Sequence, residues 1–468
     1  MRRIFCLFLL IFTFNSLNSL LAQGCRIEIE LPTEADKDVT LAYHYIDKVY
    51  AIKTTVLNSE GFGVFNIDTI LPQGLYKILI DEDHHFDFLL GADQQFSIKN
   101  TSFSPETAIV DGAVETEEFI KYLRFLANLR TENTELRTKL SQATSLDARK
   151  ELEVQINGLT PKLQEYWFQI KNKYPDSFLS EFLLANYVPE LDISSLPANV
   201  QSNDSLLLLA RFYYQQKHFW DYFDYTDERF LYTPVFKPKL ETWFTKILFQ
   251  DYDSIREPVL KMIEEVRPNP RIFQFVVSWF LNSAINSKVM GNDALFVELA
   301  NKYYLDGEAY WATDETIKKI RENVLFLENN LIGETAPDLT LETVDGEFMN
   351  LHKINAQITV VLIFEPNCSH CQEFVPKFHD EVYEKYKDRG LAVYAIYSMD
   401  NKEEWTEFLA KHQLYDWINV WDQNDLSNFK VLYDARETPG VYVLDENKTI
   451  IAKRFAVEQL EMLLEEKL

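Results

Sequence analysis

The 468-residue sequence predicts a multidomain chain: an N-terminal β-sandwich, a central all-α domain and a C-terminal α/β domain. Three changes of hydrophobic period carry that reading. From about Cys25 to Asp111, short runs alternate apolar and polar residues. From Glu115 to about Asn330, apolar residues recur at the helical period with almost no glycine, and from Ile332 onward strand-like and helix-like runs alternate. At roughly 100 to 200 residues per domain the length allows about three domains. The expected boundaries are 23–112, 113–330 and 331–468, after a leader over 1–22.

The leader is read from Met1-Arg2-Arg3, a short basic start, followed by the apolar run Ile4 to Phe14 and a more polar approach to Ala22. This is the pattern of a secretory signal peptide, and the run is too short to span a bilayer as a mature helix. Cleavage after Ala22 leaves Gln23-Gly24-Cys25 at the new terminus. Gly24-Cys25 also resembles the end of a lipoprotein signal, but Ala22 and Gln23 fit that pattern poorly, so a lipid anchor at Cys25 stands second. Either route implies the periplasm or cell envelope, an oxidising compartment.

The chain carries 46 basic and 73 acidic side chains, a formal net charge of -27. Such a surface repels nucleic acid and anionic membranes, so neither is an expected partner. Four cysteines in this length are too few for a disulfide scaffold that replaces a core.

In the first region the strand-like runs are Arg26 to Leu31, Val39 to Tyr45, Tyr50 to Leu57, Phe62 to Ile67, Leu75 to Ile80, Phe86 to Leu90 and Phe96 to Lys99. Turn sequences such as Asn58-Ser59-Glu60-Gly61 and Pro72-Gln73-Gly74 separate them at the spacing of an antiparallel sandwich. His84 and His85 are adjacent, so in a strand they point to opposite faces and are poorly placed to share a metal. The second region opens with Phe119, Leu123, Leu126 and Leu129, continues with an amphipathic stretch from Leu152 to Ile170, and suggests about eight helices with no fixed-period repeat. Its aromatic clusters, Phe212 to Tyr214 and His218 to Phe223, suit a packed core at least as well as a ligand groove.

The third region begins with a buried-type strand Thr359 to Phe364. A helix from Gln372 to Arg389, a strand Leu391 to Tyr397, a helix Lys402 to Lys411, strands Val441 to Leu444 and Thr449 to Lys453, and a helix Val457 to Glu466 follow. Between the first strand and helix lies Cys368-Ser369-His370-Cys371. A cysteine at a helix start sits near unpaired amide donors and the positive end of the helix dipole, which favour thiolate over thiol. A free thiol ionises near pH 8.5, and this setting lowers it. Cys368 is therefore the expected nucleophile, and Cys371, one turn further in, the thiol that resolves a mixed disulfide. His370 adds a donor or positive charge beside Cys368, which stabilises the reduced form and makes the disulfide more oxidising.

With these residues the segment resembles the thioredoxin superfamily, specifically the extracytoplasmic TlpA/ResA-like thiol–disulfide oxidoreductases of the Bacteroidetes multidomain type. Ile332 to Asp338 and Leu339 to Phe348 resemble the opening strand pair of that family and of the peroxiredoxins. Pro376 matches the proline of its active-site helix, and Thr438-Pro439 before Gly440 to Asp445 matches its cis-proline loop. The resemblance implies a C-terminal thioredoxin-like fold and a redox disulfide Cys368–Cys371. It implies Pro439 as the substrate-side wall with Thr438 beside it, and no metal or organic cofactor. It also implies protein thiol or disulfide substrates and a membrane redox partner. The chain departs from the family in three places. Phe364-Glu365-Pro366-Asn367 replaces the usual tryptophan flank, and Phe374 stands where an acidic residue tunes the thiols in many members, leaving Glu365 and Glu373 as candidates for that role. Gly440 follows the proline where Thr or Ser is common.

Three other readings compete. A zinc site with His379 as third ligand lacks a fourth ligand, since Cys6 belongs to the leader and Cys25 is remote. A peroxiredoxin wants Thr or Ser three residues before its cysteine, where Glu365 stands. A redox-inactive binding or adaptor protein would leave the cysteine pair without a purpose.

Overall fold

The computed structural model describes residues 24–468, so the leader expected over 1–22 lies outside the described residues. The chain forms two compact units, one ending at Ile247 and the other running from Leu248 to Leu468.

The first unit begins with β1 (Cys25–Glu30), β2 (Asp38–Tyr45), β3 (Lys48–Val56), β4 (Phe62–Ile67), β5 (Gly74–Leu79), β6 (His85–Leu90), β7 (Gln95–Lys99) and β8 (Ile109–Asp111). They make two four-stranded sheets of order β4-β1-β7-β8 and β3-β2-β5-β6. All pairs are antiparallel except β1 with β7, which run parallel. Alternation fixes the inner face: Cys25, Ile27 and Ile29 of β1 are buried while Arg26 is exposed. They pack in one core with Val39, Leu41, Tyr76, Ile78, Phe86 and Phe88. The sandwich thus appears as read, with β8 as a strand the sequence reading passed over; three residues are too few to show a period. His84 lies beside Asp81, and His85 Nδ1 is 2.8 Å from the Glu82 carbonyl oxygen, so the pair meets local acceptors.

Eleven α-helices lie between Val114 and Leu327, more than the eight suggested by periodicity. The extra ends come from polar caps: Ser145, Ser177, Asn203, Asp251, Asn269 and Thr313 each accept a backbone N–H and start a new helix. The stretch Leu152 to Ile170, read as one, breaks at Gly158 into helices Leu146–Asn157 and Leu159–Lys173. Pro161 falls in the first turn of the second helix, where its missing N–H costs nothing. Of the aromatic clusters, Phe219 and Phe223 are buried while Tyr213 is half exposed. Their company is the Lys239 ammonium, 4.5 Å from the centre of the Phe219 ring.

The second unit opens with helices, among them Pro270–Ile285, whose buried Ile272, Phe273, Val276, Val277, Phe280, Leu281 and Ala284 recur at helical spacing. It closes on a seven-stranded sheet built from β9 (Thr340–Thr343), β10 (Phe348–Asn350), β11 (Ile358–Phe364), β12 (Leu391–Tyr397), β13 (Ile418–Trp421), β14 (Gly440–Leu444) and β15 (Ile450–Lys453). The order is β10-β9-β13-β12-β11-β14-β15. β11 runs parallel to β12, and β12 to β13, whereas β14, β15, β9 and β10 pair antiparallel. Every residue of β11 is buried because two cores cover it. Val360, Leu362 and Phe364 face one, and Val361 and Ile363 face the other. This is the thioredoxin-like arrangement with helices on both faces. β13 went unread, being four residues long with a polar Asn419 inside it.

Candidate active site

β11 ends at Phe364, and the loop Glu365-Pro366-Asn367 carries the chain to Cys368. Cys368 has extended backbone (φ -77°, ψ 123°) and caps the helix Ser369–Lys377. Its carbonyl oxygen accepts the N–H of Gln372 at 3.0 Å. The helix therefore starts three residues earlier than the sequence indicated, because Ser369 and His370 already belong to its first turn. Cys371 falls inside that turn and is fully buried, whereas Cys368 is partly exposed. Both are free thiols.

The two sulfurs differ in their electrostatics. Burial pulls the Cys368 thiol upward, but hydrogen bonding from the Thr438 side chain, the Cys371 thiol and the backbone N–H groups of Cys371 and His370 outweighs it, and the net shift is downward. Burial pushes the Cys371 thiol up to about 12, despite a hydrogen bond from the Glu365 backbone. In its protonated form Cys368 Sγ donates to the Thr438 carbonyl oxygen at 3.3 Å. The Thr438 hydroxyl and the first-turn amides are donors, so they serve the thiolate instead. One sulfur is thus prepared to ionise and its neighbour is held protonated.

Thr438–Pro439 is a cis peptide bond. The Thr438 carbonyl oxygen lies against Cys368 Sγ, and the chain then enters β14 at Gly440. A Cβ placed on Gly440 would lie 3.3 Å from the Cβ of Ile363 in β11, so the missing side chain lets the two strands close up.

The other sequence candidates separate. Glu365 is half-buried, and its carboxylate accepts from Ser398 Oγ at 3.2 Å; the same hydroxyl lies 3.2 Å from the Phe364 carbonyl oxygen. Ser398, at the exit of β12, is a site neighbour that sequence reasoning missed, since a lone serine after a strand carries no pattern. Glu373 is exposed on the helix. His370 is exposed too, and the group it brings to Cys368 is its backbone N–H. Phe374 packs against the core with its ring 5.9 Å from that of Phe378.

The zinc alternative does not assemble. Among the described residues, His379 groups with Glu384 and Asp416 rather than with the cysteines. The Lys387 ammonium already lies 2.7 Å from Glu384 and 3.3 Å from Asp416.

Residues 332–453 match the model of the AhpC/TSA family. No curated protein matches the chain. Among solved structures, a domain of a possible thiol-disulfide isomerase from Cytophaga hutchinsonii is 36% identical; the match covers 29% of this chain and 92% of that one, with a TM-score of 0.28. A conserved protein of unknown function from Bacteroides fragilis is 34% identical over 28% of this chain and 98% of its own, with a TM-score of 0.25. A thioredoxin-like protein from Bacteroides caccae is 18% identical over 60% of this chain and 98% of its own, with a TM-score of 0.46. With a cysteine pair at a helix start, a cis-proline loop against it and a match that spans the whole sheet, residues 332–453 form a thioredoxin-like domain of the AhpC/TSA family.

Proposed function

We propose that the protein is a periplasmic thiol–disulfide oxidoreductase that exchanges disulfides with protein substrates through Cys368 and Cys371. The observation that carries this reading is the opposite tuning of two adjacent thiols, Cys368 down and Cys371 up to about 12. In the reducing direction the Cys368 thiolate attacks one sulfur of a substrate disulfide. That S–S bond breaks, a Cys368–substrate disulfide forms, and the other substrate sulfur leaves as a thiolate that takes up a proton. Cys371 then loses its proton and attacks the Cys368 sulfur, closing Cys368–Cys371 and releasing the second substrate thiol. Two electrons and two protons pass from the pair to the substrate. The pair regains them from a dithiol protein, which we place at the membrane; run backward, the same steps oxidise a substrate dithiol.

Pro439 forms the substrate-side wall with Thr438, and His370 adds a donor at the rim. Of the two acidic candidates, Glu365 is the better placed to handle the Cys371 proton, because its backbone contacts that thiol and its carboxylate is held by Ser398. Export rests on the leader pattern of residues 1–22. Attachment through a lipid on Cys25 comes second, because that thiol is fully buried in the sandwich core and acylation would require the start of β1 to leave it. Equilibration with glutathione tests the reading and sets its direction. A potential near about -270 mV makes the protein a reductant and one near about -120 mV an oxidant. A cysteine pair that never forms an intramolecular disulfide in any glutathione mixture would refute the enzymatic reading.

A further inference from the structure

Beside Pro439 the second unit opens into a cleft of about 770 Å³. One wall is the Pro439 loop and the start of β14. The other is helical, made by the end of helix Pro270–Ile285 and the turn that follows it, including Lys288. Ile285 and Asn323 also line a second recess of about 370 Å³, whose walls include Tyr304 and Trp311. Pro439, which lines the larger cleft, directly follows Thr438, whose carbonyl oxygen lies 3.3 Å from Cys368 Sγ.

The charge in this cleft differs in sign from that of the chain. Lys453 and Asp293 pair with each other, with side chains 3% and 13% exposed, and offer a ligand little. Asp434 is buried and is shared by two guanidinium groups, those of Arg436 and Arg454. Arg436 also donates to Asn323. Arg454 is 60% exposed, and Lys288 is exposed on the helical wall. Glu437 is the remaining acidic residue of the lining. The formal charge of the whole chain is -27. At physiological ionic strength, however, charges beyond about 8 Å are largely screened, so the local cations decide what the cleft attracts.

We infer that this cleft holds the stretch of a protein substrate flanking its reactive cysteine, and that it selects stretches carrying a carboxylate side chain close to that cysteine. Arg454 and Lys288 are the specificity-determining residues. The inference rests on the exchange reaction proposed above. The electron balance is unchanged: the substrate disulfide gains the two electrons that the cysteine pair loses.

The test uses the full chain, reduced and freed of reductant. Two short cysteine peptides, one flanked by Asp and one by Lys, are each joined by a disulfide to the same coloured thiol, whose release gives kcat/KM. The Asp peptide is expected to react about fivefold faster than the Lys peptide, the size that two exposed charge pairs supply. The preference should fall toward one as salt is raised. It should reverse in a Lys288→Glu, Arg454→Glu variant. A wild-type ratio of one or below, or a preference that salt leaves unchanged, would overturn the cleft assignment even if the variant failed to fold. If the wild-type protein exchanges with neither peptide nor with the symmetric disulfide of the coloured thiol, the oxidoreductase reading itself fails and the assignment falls with it.

Discussion

At the scale of single residues, position within one helical turn separates two chemically identical thiols. Cys368 caps the helix and meets donors; Cys371 is one turn in and meets the core. Alkylation by a neutral haloacetamide should therefore modify Cys368 with a midpoint below the free-thiol value of about 8.5, while Cys371 stays unmodified until far higher pH. One shared midpoint near 8.5, read by mass spectrometry of the two positions, would contradict this. Burial gives Cys25 a related property, pushing its thiol up to about 11. Above about pH 8.5 the unfolded chain releases that proton while the folded chain keeps it. The stabilisation is thus full below the unfolded value and is lost as pH rises toward the folded one, by about 1.4 kcal/mol per pH unit for each such group. Denaturant titrations of wild-type protein and a Cys25→Ala variant between about pH 8.5 and 11 should show a shallower loss of stability in the variant. Equal slopes would count against a buried, protonated Cys25. The placement of the cysteine pair at a helix start and of the proline loop beside it could be read from Cys368-Ser369-His370-Cys371 and Thr438-Pro439. Ser398 and the Thr438 carbonyl could not, since spatial neighbours 30 and 70 residues from Cys368 leave no mark on local sequence.

At the scale of elements, long strands and those with clean alternation were legible, and short or interrupted ones were not. β12 was read to the residue because its seven apolar or aromatic positions are continuous. β13 was missed because Asn419 interrupts a four-residue strand, yet that residue is buried and its amide N–H groups donate to the carbonyl oxygens of Leu414 at 2.7 Å and Trp417 at 3.1 Å. An Asn419→Ala variant leaves both acceptors without that donor and should cost about 1–3 kcal/mol. Chemical denaturation would show it, and a change under about 0.5 kcal/mol would mean the amide is not needed there. The same logic explains the miscounted helices. Hydrophobic period marks which face is buried, while single Ser, Asn, Asp and Thr caps decide where one helix stops and the next begins.

At the scale of the molecule, the compact unit that contains the site starts at Leu248 and takes in helices ahead of the sheet. One reason lies in β15. Lys453 is buried, pairs with Asp293 of a preceding helix, and donates to Asn330 Oδ1 at 2.9 Å and to the Asn330 backbone oxygen at 2.7 Å. Composition alone did not show this link, because a lysine at the end of a strand reads as solvated. A Lys453→Met variant strands Asp293 and should lower the stability of this unit by about 3–5 kcal/mol. A Lys453→Met, Asp293→Leu double variant should recover most of the loss, and its failure to do so would count against the buried pair. The central claim is that Cys368 attacks and Cys371 resolves. The most direct measurement is mass-spectrometric trapping of mixed disulfides by a Cys371→Ser variant in an envelope extract. The account predicts adducts on Cys368 that vanish in a Cys368→Ser, Cys371→Ser variant. No Cys368 adduct, or adducts unaffected by loss of Cys368, would contradict it.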